Sequence, residues 1–122
     1  MENIIIIDDT KTNALLIECI LGKEYNVESI FDSVDALSII KEKQPDIILL
    51  DIVMPNISGF DLLKAIKNEK KLTNTSVFVV SGLNHSSAKT KAFELGADNY
   101  IEKPINAKRL LKLVKTHSKI LH

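Results

Sequence analysis

Residues 4–9 read Ile-Ile-Ile-Ile-Asp-Asp, and residues 47–51 read Ile-Ile-Leu-Leu-Asp. Two further runs end in the same way, since residues 77–81 read Val-Phe-Val-Val-Ser and residues 100–103 read Tyr-Ile-Glu-Lys. The first three runs are short and apolar without polar alternation, which is typical of strands buried on both faces of a parallel sheet. The carboxyl ends of parallel strands share one edge, so we expect the polar residues that end these runs to lie close together.

The rest of the chain supplies the helices that such a sheet needs. Five strands alternating with five helices require a parallel sheet with helices on both faces, and right-handed crossovers leave only a few doubly wound orders. The second strand has no clean alternation, so we expect it at an edge. The predicted strands are 3–8, 26–31, 46–51, 76–81 and 99–102. The first and third predicted helices are 12–21 and 60–70. The second begins at Asp32 or Ser33 and ends at 43, the fourth begins at Ser86 or Ser87 and ends at 95, and the fifth follows Asn106.

Size and composition narrow the class of protein. A chain of 122 residues suits one domain, and a hydrophobic content of 45% is enough to build a core. The 16 basic and 16 acidic residues balance, so no overall field favours nucleic acid or a membrane. The N terminus has neither a basic segment nor a cleavage site, and its apolar run is too short to span a bilayer. We therefore expect a cytoplasmic protein.

The basic residues are unevenly distributed along the chain, and the chain has a single cysteine, Cys19. Six of the 16 basic residues and none of the 16 acidic ones lie in 103–122. This segment is either a solvated helix face or a docking surface for an acidic partner. Cys19 excludes an internal disulfide, and its apolar neighbours in a helical pattern predict a small buried packing residue.

Three carboxylates follow the first and third strands. Asp8, Asp9 and Asp51 would repel one another unless a cation lay between them, and such hard oxygen ligands suit Mg²⁺ or a similar ion such as Mn²⁺. A single Asp after a strand is more often a loop or helix cap. The agreement of four strand ends favours a shared site instead.

The same edge holds groups suited to phosphoryl chemistry. Asp51 could act as a nucleophile and form an aspartyl phosphate. Lys103 and Ser81 could then bind the remaining phosphoryl oxygens through an ammonium and a hydroxyl group. Taken alone, Lys103 is an ordinary surface lysine and Ser81 an ordinary strand-end residue.

Taken together, these residues resemble the receiver domain of bacterial two-component response regulators. The similarity extends over essentially the whole chain, and the order and spacing of the motifs carry it rather than any single motif. The matching stretches are the acidic-pair strand 4–9, Leu-Leu-Asp-Ile-Val-Met-Pro at 49–55 with Gly59, Val-Val-Ser at 79–81, and Gly-Ala-Asp-Asn-Tyr-Ile-Glu-Lys-Pro at 96–104.

The resemblance implies a fold and a phosphorylation site. The fold would be the flavodoxin-like α/β receiver fold, a doubly wound five-stranded sheet in the order 2-1-3-4-5 with five helices. Asp51 would accept a phosphoryl group from a histidine kinase or a histidine phosphotransfer protein. Asp9 and Asp51 would bind Mg²⁺ directly, Asp8 would help, and the backbone carbonyl of Val53 would be a further ligand.

The resemblance also implies a conformational switch. Ser81 would move toward the phosphoryl oxygens, and the ring of Tyr100 would turn inward. This would alter the surface built by the fourth helix, the fifth strand and the fifth helix, which also allows a phosphorylation-dependent homodimer. A cis peptide is expected between Lys103 and Pro104.

Together these features favour a signalling domain over a turnover enzyme. Residues 1–122 would form one receiver domain, with no output domain, nucleic-acid contact or membrane contact of its own. Alternatives are a stand-alone or hybrid-kinase receiver that passes phosphate on in a phosphorelay, an aspartate-nucleophile phosphatase and a non-phosphorylated interaction module. The phosphatase is disfavoured, because such enzymes place an acid–base Asp two residues after the nucleophile and this chain has Val53 there.

Overall fold

The computed structural model describes residues 2–32, 34–53, 58–82 and 86–117, in which strands and helices alternate. The strands are β1 (Asn3–Ile7), β2 (Asn26–Ile30), β3 (Ile47–Asp51), β4 (Ser76–Ser81) and β5 (Asn99–Glu102). The helices are α1 (Lys11–Leu21), α2 (Ala36–Lys43), α3 (Gly59–Lys67), α4 (Ser86–Glu94) and α5 (Ala107–His117), and a 3-10 turn (Lys70–Leu72) precedes β4. Within the described ranges, no helix is long and apolar enough to cross a membrane.

The five strands form one sheet in the order β2-β1-β3-β4-β5, and every pair is parallel. This confirms the predicted doubly wound fold, with β2 at an edge. The register aligns Ile7 with Leu50, and it aligns Ser81 with Glu102. The carboxyl ends of β1, β3, β4 and β5 therefore lie along one edge of the sheet.

The apolar strands are buried on both faces because helices cover both sides. Alternate residues of each strand point into two separate cores, so the strands need apolar residues at every position. One core lies under α1 and α5 and includes Ile4, Ile6, Leu49, Phe78, Val80, Leu110 and Val114. The other lies under α2, α3 and α4 and includes Ile5, Ile7, Leu50, Leu63, Val79, Ala92 and Tyr100.

The structure corrects two local predictions. Cys19 is exposed rather than buried. Helix α2 begins at Ala36 and not at 32 or 33, because the Asp32 carboxylate accepts a hydrogen bond from the Val34 N–H at 2.9 Å and forms a turn instead. Ser33, the other candidate cap, lies outside the described residues.

Candidate functional site

Three carboxylates meet at the shared edge of the sheet, as the sequence predicts. Asp8, Asp9 and Asp51 each present one oxygen, and these three atoms lie within 4.8 Å of one another. Asp8 is 2% exposed and Asp51 is 5% exposed, whereas Asp9 is open to solvent. The carboxylates of Asp8 and Asp51 are thus buried in the protein, and that of Asp9 lies on the solvent side of the site.

Local turns hold the two buried carboxylates. The Thr10 N–H donates to Asp8 Oδ1 at 2.8 Å, and the Val53 N–H donates to Asp51 Oδ1 at 3.1 Å. Both are bonds to the backbone two residues further on, which is the local pattern that Asp favours where a strand ends. Each carboxylate keeps its other oxygen, Oδ2, directed toward the neighbouring groups of the site.

Lys103 supplies the positive charge. Its Nζ lies 3.4 Å from Asp51 Oδ2 and 3.6 Å from Asp8 Oδ2. The backbone also fixes this residue, because the Lys103 N–H donates to the Ser81 carbonyl at 2.9 Å. The peptide bond between Lys103 and Pro104 is cis, as expected.

Burial and charge act on Asp51 in opposite directions. Desolvation raises the pKa of the Asp51 carboxyl above its ordinary value, and the Asp8 carboxylate raises it further. The Lys103 ammonium and the Val53 N–H favour the ionised form and lower this pKa, but burial is the larger effect. Lys103 therefore offsets only part of the effect of burial on the Asp51 carboxyl.

Close packing of α3 positions the segment after Asp51. The Gly59 N–H donates to the Ile52 carbonyl at 2.9 Å. A Cβ at this position would lie 2.3 Å from Ile52 Cα and 2.7 Å from the Asp51 carbonyl oxygen. Only glycine allows α3 to begin this close to the end of β3. Residues 54–57 of the matching motif lie outside the described residues.

The proposed switch pair lies on the neighbouring strands. Ser81 is fully buried at the end of β4, and the Tyr100 ring is 4% exposed in the core under α3 and α4. Tyr100 is aligned with Val79, which is two residues before Ser81, so the side chains of Tyr100 and Ser81 project from the same face of the sheet. Both side chains are therefore buried on the same face of the sheet.

The chain matches the family model for the response regulator receiver domain over residues 4–115. The chain belongs to this family. The match includes all of the carboxylates at the site, together with Ser81, Tyr100 and Lys103.

Solved structures agree with this assignment. The receiver domain is similar to the BeF3-activated DrrB receiver domain, with 29% identity, a TM-score of 0.88, and coverage of 96% of this chain and 97% of that one. It is similar to the CheY-like receiver domain protein of Methanospirillum hungatei, with 26% identity, a TM-score of 0.87, and coverage of 95% and 92%. It is also 30% identical to DrrB of Thermotoga maritima, an OmpR/PhoB homolog, covering 94% of this chain and 51% of that one with a TM-score of 0.84.

The structure brings together most of the residues singled out in the sequence, but sequence reasoning missed one group beside the receiver site. Asp8, Asp9, Asp51 and Lys103 lie together at one site, and Ser81 lies at the end of β4, the strand next to β3. Lys89 was not singled out, yet it pairs with Glu102 and lies over the Tyr100 ring. The sequence does show that Tyr100 and Glu102 are two residues apart in a predicted strand, which places both side chains on the same face of the sheet. This spacing could have indicated a charged group beside the Tyr100 ring.

Proposed function

We propose that this receiver domain is a phosphorylation-controlled switch of a two-component system, with Asp51 as the phosphoryl acceptor. The observation that carries the proposal is the juxtaposition of Asp51 with two further carboxylates and the Lys103 ammonium. Such a set can hold a divalent cation and a phosphoryl group side by side. The proposal treats the chain as one receiver domain.

The donor set fits Mg²⁺. One oxygen from each of three carboxylates lies within 4.8 Å of the others, and the Lys103 ammonium lies beside two of them, Asp8 and Asp51, so the three carboxylates and this ammonium together carry an excess of negative charge. Asp8, Asp9 and Asp51 would hold the ion, with the Val53 carbonyl as a further ligand. A bound Mg²⁺ supplies charge neutralisation for the attacking carboxylate and for the transferring phosphoryl group.

The residues of the chain have distinct roles in the transfer. An Asp51 oxygen attacks phosphorus, the new O–P bond forms as the P–N bond of a phosphohistidine breaks, and the released imidazole nitrogen takes a proton from solvent. The Lys103 ammonium, 3.4 Å from Asp51 Oδ2, pairs with one phosphoryl oxygen. The Ser81 hydroxyl binds another. The product is an aspartyl phosphate on this chain and an unmodified histidine on the donor.

The proposed role implies a phosphoryl donor and a surface that responds to phosphorylation. The donor is a histidine kinase or a histidine phosphotransfer protein of the cytoplasm. Phosphorylation acts through Ser81 and Tyr100 on the surface of α4, β5 and α5, where an effector or a second phosphorylated copy docks. A receiver domain of this kind carries a signal and does not turn over a substrate.

Acetyl phosphate tests the acceptor. We expect the parent protein to gain the mass of one phosphoryl group in Mg²⁺ and to gain none in EDTA. Asp51→Asn should gain none under either condition, because an amide oxygen is too weak a nucleophile. Asp61→Asn is the matched control, since Asp61 is an exposed carboxylate in the first turn of α3, and it should behave as the parent.

Three results would count against the proposal. The first is a parent protein that stays unmodified in Mg²⁺, which would favour a non-phosphorylated interaction module. The second is Asp51→Asn labelled as well as Asp61→Asn, which would place the acceptor elsewhere. The third is repeated turnover of a small phosphate ester, which would favour the phosphatase.

A further inference from the structure

Helix α4 is held to the sheet by little apolar surface. Its buried residues are Ala88 and Ala92, and its one large apolar residue, Phe93, is 49% exposed. Burying alanine removes far less apolar area from water than burying leucine does. Two lysines on α4 make further contacts: Lys91 Nζ lies 4.5 Å from the centroid of the Phe60 ring on α3, and Lys89 reaches toward β5. The position of α4 therefore depends on lysine contacts along its flanks.

Lys89 contacts β5 at two points. Its ammonium pairs with the Glu102 carboxylate and lies 5.9 Å from the centroid of the Tyr100 ring. Tyr100 and Glu102 are two residues apart in a strand and project from the same face of the sheet. The side chains of Lys89 and Glu102 remain 41% and 43% exposed, whereas Tyr100 is 4% exposed. The ion pair thus covers the solvent side of the ring.

The charges around this pair favour it. The hydrogen bond and the charge of Lys89 lower the pKa of the Glu102 carboxyl, and Arg109 on α5 adds a smaller effect in the same direction. Glu102 is therefore ionised at neutral pH and available to Lys89. The pair connects α4 to β5 directly across the ring of Tyr100.

We propose that Lys89 is a positioning residue that, together with Glu102, holds the Tyr100 ring buried before any phosphoryl group arrives. This inference rests on the proposed function, in which Tyr100 and Ser81 form the switch. Ring burial is the arrangement expected of the phosphorylated form, so the pair shifts the resting equilibrium toward that form. A ligand that prefers the ring-in form then binds more tightly, because less of its binding energy is needed to change the conformation.

Fluorine NMR on protein labelled with fluorotyrosine tests the inference. The chain has two tyrosines, and Tyr25 lies in the opposite core, so its signal is an internal reference. In Lys89→Met, which keeps the aliphatic body and removes the charge, we expect the Tyr100 signal of the free protein to move toward that of a solvent-exposed ring. The apparent affinity for beryllofluoride in Mg²⁺ should fall about two- to fivefold, the size expected for one exposed ion pair with a cation–π contact.

Further variants separate positioning from a general loss of structure. Glu102→Gln should repeat the effect of Lys89→Met, and the exchange Lys89→Glu with Glu102→Lys should restore part of the lost affinity. Lys43→Met is the matched control: it breaks the 2.8 Å pair with Glu28, which has similar exposure but lies on the opposite edge strand, β2. This control should change neither the Tyr100 signal nor the affinity.

The outcomes distinguish this inference from the proposed function. If the parent responds to beryllofluoride and Lys89→Met has the same affinity as Lys43→Met, the positioning role is wrong and the switch stands. If the parent shows no response to beryllofluoride, the proposed function fails. The Tyr100 signal of the free protein then still tests Lys89, since an unchanged signal in Lys89→Met would show that the pair does not hold the ring.

Discussion

Asp51 carries a cost in stability that its proposed chemistry explains. A carboxylate that is 5% exposed, with a second buried carboxylate beside it, is harder to ionise than one in water. Lys103, at 3.4 Å, offsets only part of this, because the net effect still raises the pKa of Asp51. Groups held in an unfavourable state are typical of functional sites, where stability is given up for activity.

The raised pKa predicts how stability depends on pH. The unfolded chain releases the Asp51 proton at a lower pH than the folded protein does. The contribution of this group is therefore fully present below the unfolded pKa and is lost as pH rises through the folded pKa. Asp51→Asn removes that loss, so in EDTA at neutral pH we expect the variant to be more stable than the parent by about 1 kcal/mol.

Urea denaturation in EDTA measures this difference. The difference in free energy of unfolding between Asp51→Asn and the parent should widen as the pH is raised from the ordinary pKa of an aspartate toward neutrality, because the parent then loses the Asp51 proton. Asp61→Asn, on the exposed side of α3, should show no such trend. A parent that is more stable than Asp51→Asn at neutral pH would contradict the sign.

Side-chain burial on α1 shows where sequence reasoning fails at this scale. The position of the strand-end carboxylates could be predicted, because a polar residue directly after a buried apolar strand lies at the carboxyl end of that strand. In α1 the apolar residues occur on nearly every side of the helix, so a period of 3.6 does not decide which face is buried. The sheet contacts Ala14, Ile17 and Leu21, and leaves Leu16 and Cys19 in solvent.

Among the elements, Lys67 adds a polar link between α3 and the segment that joins α4 to β5. Lys67 Nζ lies 2.7 Å from Asp98 Oδ2, which also accepts a 2.7 Å hydrogen bond from the Val77 N–H. The aliphatic part of Lys67 packs against Gly96, where φ is +104°. Gly96 is thus constrained twice, by its left-handed backbone conformation after α4 and by a close neighbour.

Replacing this glycine tests the constraint. Gly96→Ala should lower the free energy of unfolding by about 1–2 kcal/mol, because alanine is strained at this φ and its Cβ would lie 2.9 Å from Lys67 Cγ. Gly82→Ala is the control, since a Cβ there meets nothing within 4 Å, and it should stay within about 0.5 kcal/mol of the parent. Equal urea midpoints for the two variants would show that the turn after α4 relaxes freely.

The boundaries of helices and strands could be predicted where only one feature of the sequence determines them. Strands β4 and β5 begin and end where the sequence predicts, because both are short apolar runs with polar residues on either side. The start of α2 could not be predicted, since Asp32 is as suited to a turn as to a helix cap, and only the path of the chain after β2 decides between them. Helix α3 ends at Lys67, before a separate 3-10 turn that the sequence does not signal.

At the scale of the whole molecule, the strand order creates both the site and its charge imbalance. With β1 next to β3 and β4 next to β5, the polar residues after four strands meet at one edge. The alternation of strands and helices predicts a doubly wound sheet, and the resemblance to receiver domains implies its strand order. The sequence does not predict that the Tyr100 ring is already buried, which depends on the contact of α4 with β5. Folding brings Asp51 next to the adjacent pair Asp8 and Asp9, from which it is 42 positions away in the sequence (51 − 9).

A cation that binds these carboxylates should therefore stabilise the entire fold. Mg²⁺ that binds the folded form alone adds stability by mass action, about 2.7 kcal/mol at a concentration 100 times the dissociation constant. We expect the thermal midpoint of the parent to rise with MgCl₂ well beyond its rise in NaCl of equal ionic strength. Asp9→Asn and Asp51→Asn should lose most of this difference, and Asp61→Asn should keep it. Simple screening of surface charge would raise the midpoints of all four proteins alike in either salt, and that result would exclude a specific metal site at Asp8, Asp9 and Asp51.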